Sequence, residues 1–146
     1  MSKMMKKGTR GFTLIEMLIV IVVIAILALI VIPRLLGAGR KAKEATLKGD
    51  LHQLRNSIQQ FEADMGDYPA DVTDLVATTA PTGQGGGGLD LDSAGYQGPY
   101  MRTPDGNLPK DPFTGAPDTW DYTASTGEVH SGSTLTGLDG TAYSTW

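Results

Sequence analysis

The 146-residue chain contains no cysteine. Disulfides, thiol catalysis and cysteine-based zinc centres are therefore excluded. Histidine is scarce. His52 and His130 stand far apart, without His-x-x-x-His or Glu-x-x-His spacing around them, and both read as surface residues. No Gly-x-Ser-x-Gly nucleophile elbow is present, so nucleophilic catalysis has little material and the chain reads as non-enzymatic. Basic residues become rare from Ser57 onward: Arg102 and Lys110 face thirteen acids. Nucleic-acid phosphates demand clustered Lys and Arg, so this acidic region argues against a nucleic-acid partner. It remains compatible with a hard cation held by carboxylates and carbonyls. Residues 17–32 carry no charge at all, and no Gly or Pro interrupts them before Pro33.

That uncharged run is the feature around which the chain is organised. With its first residues it spans 12–32, and a helix of that length measures about 31 Å, close to the ~30 Å hydrocarbon core of a bilayer. Lys3, Lys6, Lys7 and Arg10 precede it. A positive lead-in keeps the N-terminus cytoplasmic and sends the bulk of the chain across the membrane. Glu16 is the one charge in the apolar segment. A carboxylate deep in lipid costs roughly 2.5–3.5 kcal/mol and calls for a partner. Cleavage between Gly11 and Phe12 would create an α-amine four residues before it, on the same or a neighbouring molecule. A secretory signal peptide is the competing reading, with Gly37-Ala38-Gly39 posing as its cleavage site. Glu16 and the length of the run both speak against it. A plain signal anchor would explain the run but not the string Gly11-Phe12-Thr13-Leu14-Ile15-Glu16.

The segment Lys6-Lys7-Gly8-Thr9-Arg10-Gly11-Phe12-Thr13-Leu14-Ile15-Glu16 resembles the processing site of type IV pilins and type II secretion pseudopilins. The resemblance implies a basic leader, residues 1–11, removed after Gly11 by a prepilin peptidase. It implies N-methylation of Phe12 by the same enzyme and a role in assembly for Glu16. Pro33 stands where the family carries a helix-bending proline. Tyr68-Pro69, Gly98-Pro99-Tyr100 and Pro109-Lys110-Asp111-Pro112-Phe113 resemble the pattern of the major pseudopilin, although a Trp is common there at the position of Phe113. The implied function is that of a structural subunit. It inserts in the bacterial inner membrane with its head in the periplasm and polymerises through its N-terminal helix. Its partners would be other copies, the peptidase, membrane lipid, an inner-membrane assembly platform and minor pseudopilins. A type IV pilus pilin or a minor pilin is the near alternative. A membrane-anchored exported binding module is the distant one, and no site for it is found.

Beyond the apolar segment, 12–33, an amphipathic helix is expected over 34–66 and a globular head over 67–146. Pro33 lacks an N–H and its ring clashes with the preceding turn, so it should end or bend the helix. Leu47, Leu51, Leu54, Ile58, Phe61 and Met65 follow at spacings of four and three, an apolar stripe on one helix face. Some three heptads are too few for a sustained coiled coil, which favours cover by a small sheet from the same chain. Arg34, Arg40, Lys41, Lys43, Lys48 and Arg55 cluster here. They suit a solvated face, lipid headgroups or the acidic heads of neighbours, and the sequence does not choose. Gly66 and Pro69 stop the helix. Residues 71–76 read as a short capped helix, and the glycine run 82–88 as a flexible loop that cannot pack. Residues 119–125 and 128–133 read as a hairpin, with Trp120 and Tyr122 on one face. Trp146 should pack back on the head. The fold class is thus α+β, a long N-terminal helix on a small antiparallel sheet with long loops.

Asp90-Leu91-Asp92-Ser93-Ala94-Gly95 opens like an EF-hand loop but fails at Ala94 and Met101, and reads as an Asp-rich turn. The major pseudopilin resemblance implies a calcium ion in the C-terminal loop, doing the work of a disulfide. By that analogy Asp139 is the first candidate ligand, with Asp121 and Glu128 as helpers. The tail here carries fewer acids than the family pattern.

Overall fold

The computed structural model describes residues 11–146, the side chains of residues 34–36 excepted. Helix α1 runs from Leu14 to Met65. Pro33 lies inside it. It removes one backbone donor, yet the helical hydrogen bonding of the flanking turns carries the helix across, so α1 does not end there. Gly66, with a φ of 84°, stops the helix in the left-handed conformation that suits a residue without a Cβ. Its N–H donates to the Glu62 carbonyl at 2.9 Å.

The chain divides into two compact units, Met1–Gly39 and Arg40–Trp146. In the described part of the first, the large apolar side chains from Leu14 to Ile32 are all exposed. A helix that is apolar all round and covered by nothing is a membrane or bundle element. Among the described residues nothing covers it.

The second unit is built on the apolar stripe. Leu47, Leu51, Leu54, Ile58, Phe61 and Met65 are all buried, each worth about 1.5–3 kcal/mol when fully removed from water. They pack with Val72, Leu75, Met101, Leu108, Trp120, Val129 and Tyr143. The stripe is thus covered by its own chain. The cover is a two-stranded antiparallel sheet and a series of tethered loops. Strand β1, Trp120–Thr123, pairs with β2, Glu128–Ser131, so that Trp120 faces Ser131 and Tyr122 faces Val129. The return strand ends at Ser131, short of Ser133. A side chain on Gly132 would meet the Thr119 carbonyl oxygen at 2.0 Å, and the Ser133 N–H turns to the Ser131 hydroxyl.

Loops between helix and hairpin are fastened individually. Asp71 caps the 3-10 turn Val72–Val76 in a reciprocal capping box with Asp74. Asp92 caps another over Ser93–Gly95. Tyr122 Oη donates to the Pro69 carbonyl at 2.8 Å and Trp120 Nε1 to the Pro109 carbonyl at 2.9 Å.

The glycine run is the main departure from expectation: it packs. Gly85 N–H donates to the Leu89 carbonyl and Gly86 N–H to the Tyr68 carbonyl, at 2.8 and 2.9 Å. The buried Asp67 carboxylate accepts from the Tyr68 and Leu89 amides. A side chain on Gly86 would meet the Ala124 carbonyl oxygen at 2.3 Å, and one on Gly87 the Asp67 carboxylate at 2.2 Å. Here the glycines permit close approach of backbone to backbone.

Candidate functional site

The first candidate region is the start of α1. Lys6, Lys7 and Arg10 lie outside the described residues. Gly11 and Phe12 are non-helical and exposed, with Phe12 77% exposed. A non-helical, exposed peptide bond just ahead of a helix is open to a peptidase, whose active site must surround the backbone. Thr13 then caps α1. Its N–H donates to Glu16 Oε2 at 2.7 Å and its hydroxyl to the same oxygen at 2.8 Å. The Glu16 N–H donates back to Thr13 Oγ1 at 3.3 Å. This is a capping box of the Thr-x-x-Glu kind, in which two otherwise unpaired donors are satisfied together. Glu16 was read from the sequence as a charge without a partner. The motif Thr13-x-x-Glu16 already contained one, and the helix start uses it.

That geometry bears on the processing reaction. The Thr13 nitrogen that contacts Glu16 is one residue from the Phe12 nitrogen, and adjacent Cα atoms are only about 3.8 Å apart. A carboxylate already turned toward the backbone before the helix is therefore close to where an amine would appear on cleavage.

The second candidate region is the basic part of α1 within the second unit. Four of its cations turn toward other parts of their own chain, three of them toward its C-terminal segment. Arg40 donates through Nη2 to the Thr136 carbonyl and through Nε to Tyr143 Oη at 3.4 Å. Lys43 lies 5.9 Å from the centroid of the Phe113 ring and Lys48 4.3 Å from that of Trp146, distances at which a cation is drawn to the aromatic face. Arg55 donates to the carbonyls of Val129, at 2.9 Å, and Trp146. Glu44 joins them: Oε1 accepts from Tyr143 Oη and from the Leu138 N–H, each at 2.8 Å, and lies 3.9 Å from Arg40 Nε. Tyr143 is fully buried, stacked on Phe113 with centroids 4.2 Å apart and edge-on to Trp146 at 4.9 Å. His130 Nδ1 is 2.9 Å from the Trp146 carbonyl oxygen, so this histidine is tied in place, whereas His52 is exposed. Trp146 packs on the head as expected.

Comparison with known proteins now decides the family. A model described as the prokaryotic N-terminal methylation motif matches residues 6–32, and one described as type II secretion system (T2SS), protein G, matches residues 34–142. The chain belongs to the type II secretion system protein G family. Relatives named type II secretion system core protein G include one from Vibrio cholerae serotype O1, 35% identical over 113 residues, covering 76% of this chain and 69% of the relative. One from Klebsiella michiganensis is 32% identical over 114 residues, covering 77% and 73%. One from Escherichia coli K12 is 40% identical over 74 residues, covering 50% and 51%. No solved structure gives a significant match.

The three carboxylates expected as calcium ligands lie in two places. Asp121 and Glu128 sit on the hairpin, where Asp121 pairs with His130 and Glu128 with Thr123. Asp139 lies in the loop beyond it. Among the described residues no group of three or more His, Asp or Glu is placed to share a metal ion, so the three candidate ligands are not brought together. The loop's oxygens are also engaged. Asp139 Oδ1 accepts from the Thr141 amide at 3.0 Å and hydroxyl at 2.7 Å. Those bonds, with the charge of Lys48 as a smaller influence, hold the Asp139 carboxyl below the usual carboxylate range. The carbonyls of Leu135, Gly137 and Thr141 accept from Tyr143, Gly140 and Gly137 amides. Calcium takes six to eight oxygens, and among the described residues the three candidate carboxylates do not converge to supply them.

Asp111 has a structural place that the sequence did not single out. It is fully buried in the Pro-Lys-Asp-Pro-Phe segment. It accepts from Ser131 Oγ at 2.5 Å and from the Phe113 and Thr114 amides at 2.7 and 3.3 Å. Its signal was a carboxylate between two prolines, where the backbone offers few donors of its own.

Proposed function

We propose that this chain is the major pseudopilin of a type II secretion system, a non-catalytic structural subunit. Prepilin peptidase cuts it between Gly11 and Phe12 and methylates the Phe12 amine. The apolar half of α1 holds the subunit in the inner membrane, with the head in the periplasm. An assembly platform then draws subunits into a filament with other copies and minor pseudopilins. Glu16 guides that step by meeting an N-terminal amine.

The observation that carries this reading is the contrast along α1. The stripe from Leu47 to Met65 is buried by its own chain, whereas every large apolar side chain from Leu14 to Ile32 is exposed. Out of lipid such a helix needs other helices around it, and a filament core of packed helices provides them. The test is the mass and N-terminal sequence of protein purified from its native host. A start at Phe12 bearing one added methyl group is the expected result. Polymerisation of protein that keeps residues 1–11 would overturn it.

A further inference from the structure

In this member of the protein G family, side chains of α1 reach the C-terminal segment, 132–146, at Thr136, Leu138, Tyr143 and Trp146. We propose that the basic face of α1 is the clasp, and that the segment therefore stays ordered without a divalent cation.

Three observations converge. First, Glu44 has one carboxylate oxygen committed twice to the segment, to the Leu138 amide and the Tyr143 hydroxyl, both at 2.8 Å. A carboxylate so engaged fixes the chain at two points more than ninety residues away from it in sequence. Second, cations already occupy the electrostatic role a metal would take. Arg40 reaches the Thr136 carbonyl, Arg55 the Trp146 carbonyl, and Lys48 covers the Trp146 ring at 4.3 Å. Arg40, Lys48 and Arg55 stand there against two carboxylates, Glu44 and Asp139, so a divalent ion would enter a region of net positive charge. Third, the loop satisfies its own donors. The Gly137 amide reaches the Thr141 carbonyl at 2.6 Å, and Trp146 Nε1 reaches Thr141 Oγ1 at 2.5 Å. Asp139 is the one side-chain carboxylate in residues 132–146, and its Oδ1 is already hydrogen-bonded to Thr141, a thin donor set for an ion that takes six to eight oxygens with carboxylates among them.

The experiment uses the full chain in detergent micelles and reads amide hydrogen exchange by mass spectrometry over residues 132–146. Three conditions are compared: millimolar calcium, excess EGTA, and neither. The clasp predicts the same exchange in all three. It also predicts that Glu44→Gln and Tyr143→Phe each speed exchange in this segment about tenfold, the effect of losing a hydrogen bond to a charged group. Exchange over residues 72–76 serves as the control for global folding and should change less. Faster exchange in EGTA that calcium reverses would overturn the proposal in favour of a metal. Unchanged exchange in both variants would overturn it too, by showing that the apolar packing of Tyr143 suffices.

Discussion

A carboxylate at the third position of a helix can serve that helix before it serves a neighbour. Glu16 accepts twice from Thr13, so the helix start is closed in the uncleaved chain. Thr13→Ala should remove the hydroxyl contacts and leave the backbone one. A lost cap costs about 1 kcal/mol, so amides 14–17 should exchange several-fold faster while filaments still form at reduced yield. Glu16→Ala should leave membrane insertion intact and abolish filaments, because it removes the acceptor for the amine as well. Electron microscopy of the two variants separates these outcomes, and normal filaments from Glu16→Ala would rule out the charge pairing. Asp50 makes a different prediction. Burial, and then the negative charge of Asp111, push its carboxyl above the usual range. The folded state thus prefers the protonated form, and the associated stability is present at low pH and lost as pH rises through the folded pKa. Asp50→Asn should therefore raise the melting temperature at pH 7. The gain should vanish below about pH 3.5, where an ordinary Asp is also protonated. A constant gain across that range would mean the effect is not electrostatic.

At the scale of elements, what could be read from sequence was what depends on period and local chemistry. The spacing Leu47, Leu51, Leu54, Ile58, Phe61, Met65 identified the buried face because helix geometry alone brings those positions together. Gly66 and the Asp71 cap were legible for the same reason. The glycine run was not. Its backbone packs against Asp67, Tyr68 and Ala124, partners set by the tertiary fold, and composition carries no trace of them. Likewise the direction of Arg40, Lys48 and Arg55 depends on where the last fifteen residues lie, which the helix pattern does not encode. The two halves of α1 should respond oppositely to truncation. Phe61 is fully buried and edge-on to Tyr100 at 5.4 Å. Phe61→Ala should destabilise the Arg40–Trp146 unit by about 3–5 kcal/mol. Leu27→Ala, in the exposed half, should leave the thermal unfolding of that unit unchanged and weaken filaments. Equal loss of unit stability in both variants would contradict the division between the halves.

For the whole molecule, the decisive quantity is the charge left facing outward. The chain carries sixteen acids against twelve basic residues, and the leader takes Lys3, Lys6, Lys7 and Arg10 with it on cleavage. Of the basic residues near the start of the second unit, Arg40, Lys43, Lys48 and Arg55 are turned to carbonyls, Glu44 or aromatic rings of their own chain. The unit they belong to, Arg40–Trp146, holds fifteen acids against seven basic residues, and Asp90, Asp92, Asp105, Asp121 and Glu128 among those acids are exposed. Two heads brought side by side therefore repel, and association has to be driven by the apolar half of α1. Repulsion between exposed charges is screened over about 10 Å at 0.1 M salt and over about 30 Å at 0.01 M. Filament yield from purified mature protein should accordingly rise between those two ionic strengths, as measured by sedimentation. Were the basic helix face instead paired with acidic heads of neighbouring subunits, the same increase in salt would weaken the contact and the yield would fall. The sign of the salt effect thus distinguishes a clasp within the chain from a bridge between chains, two uses of the same cations that the sequence leaves equally open.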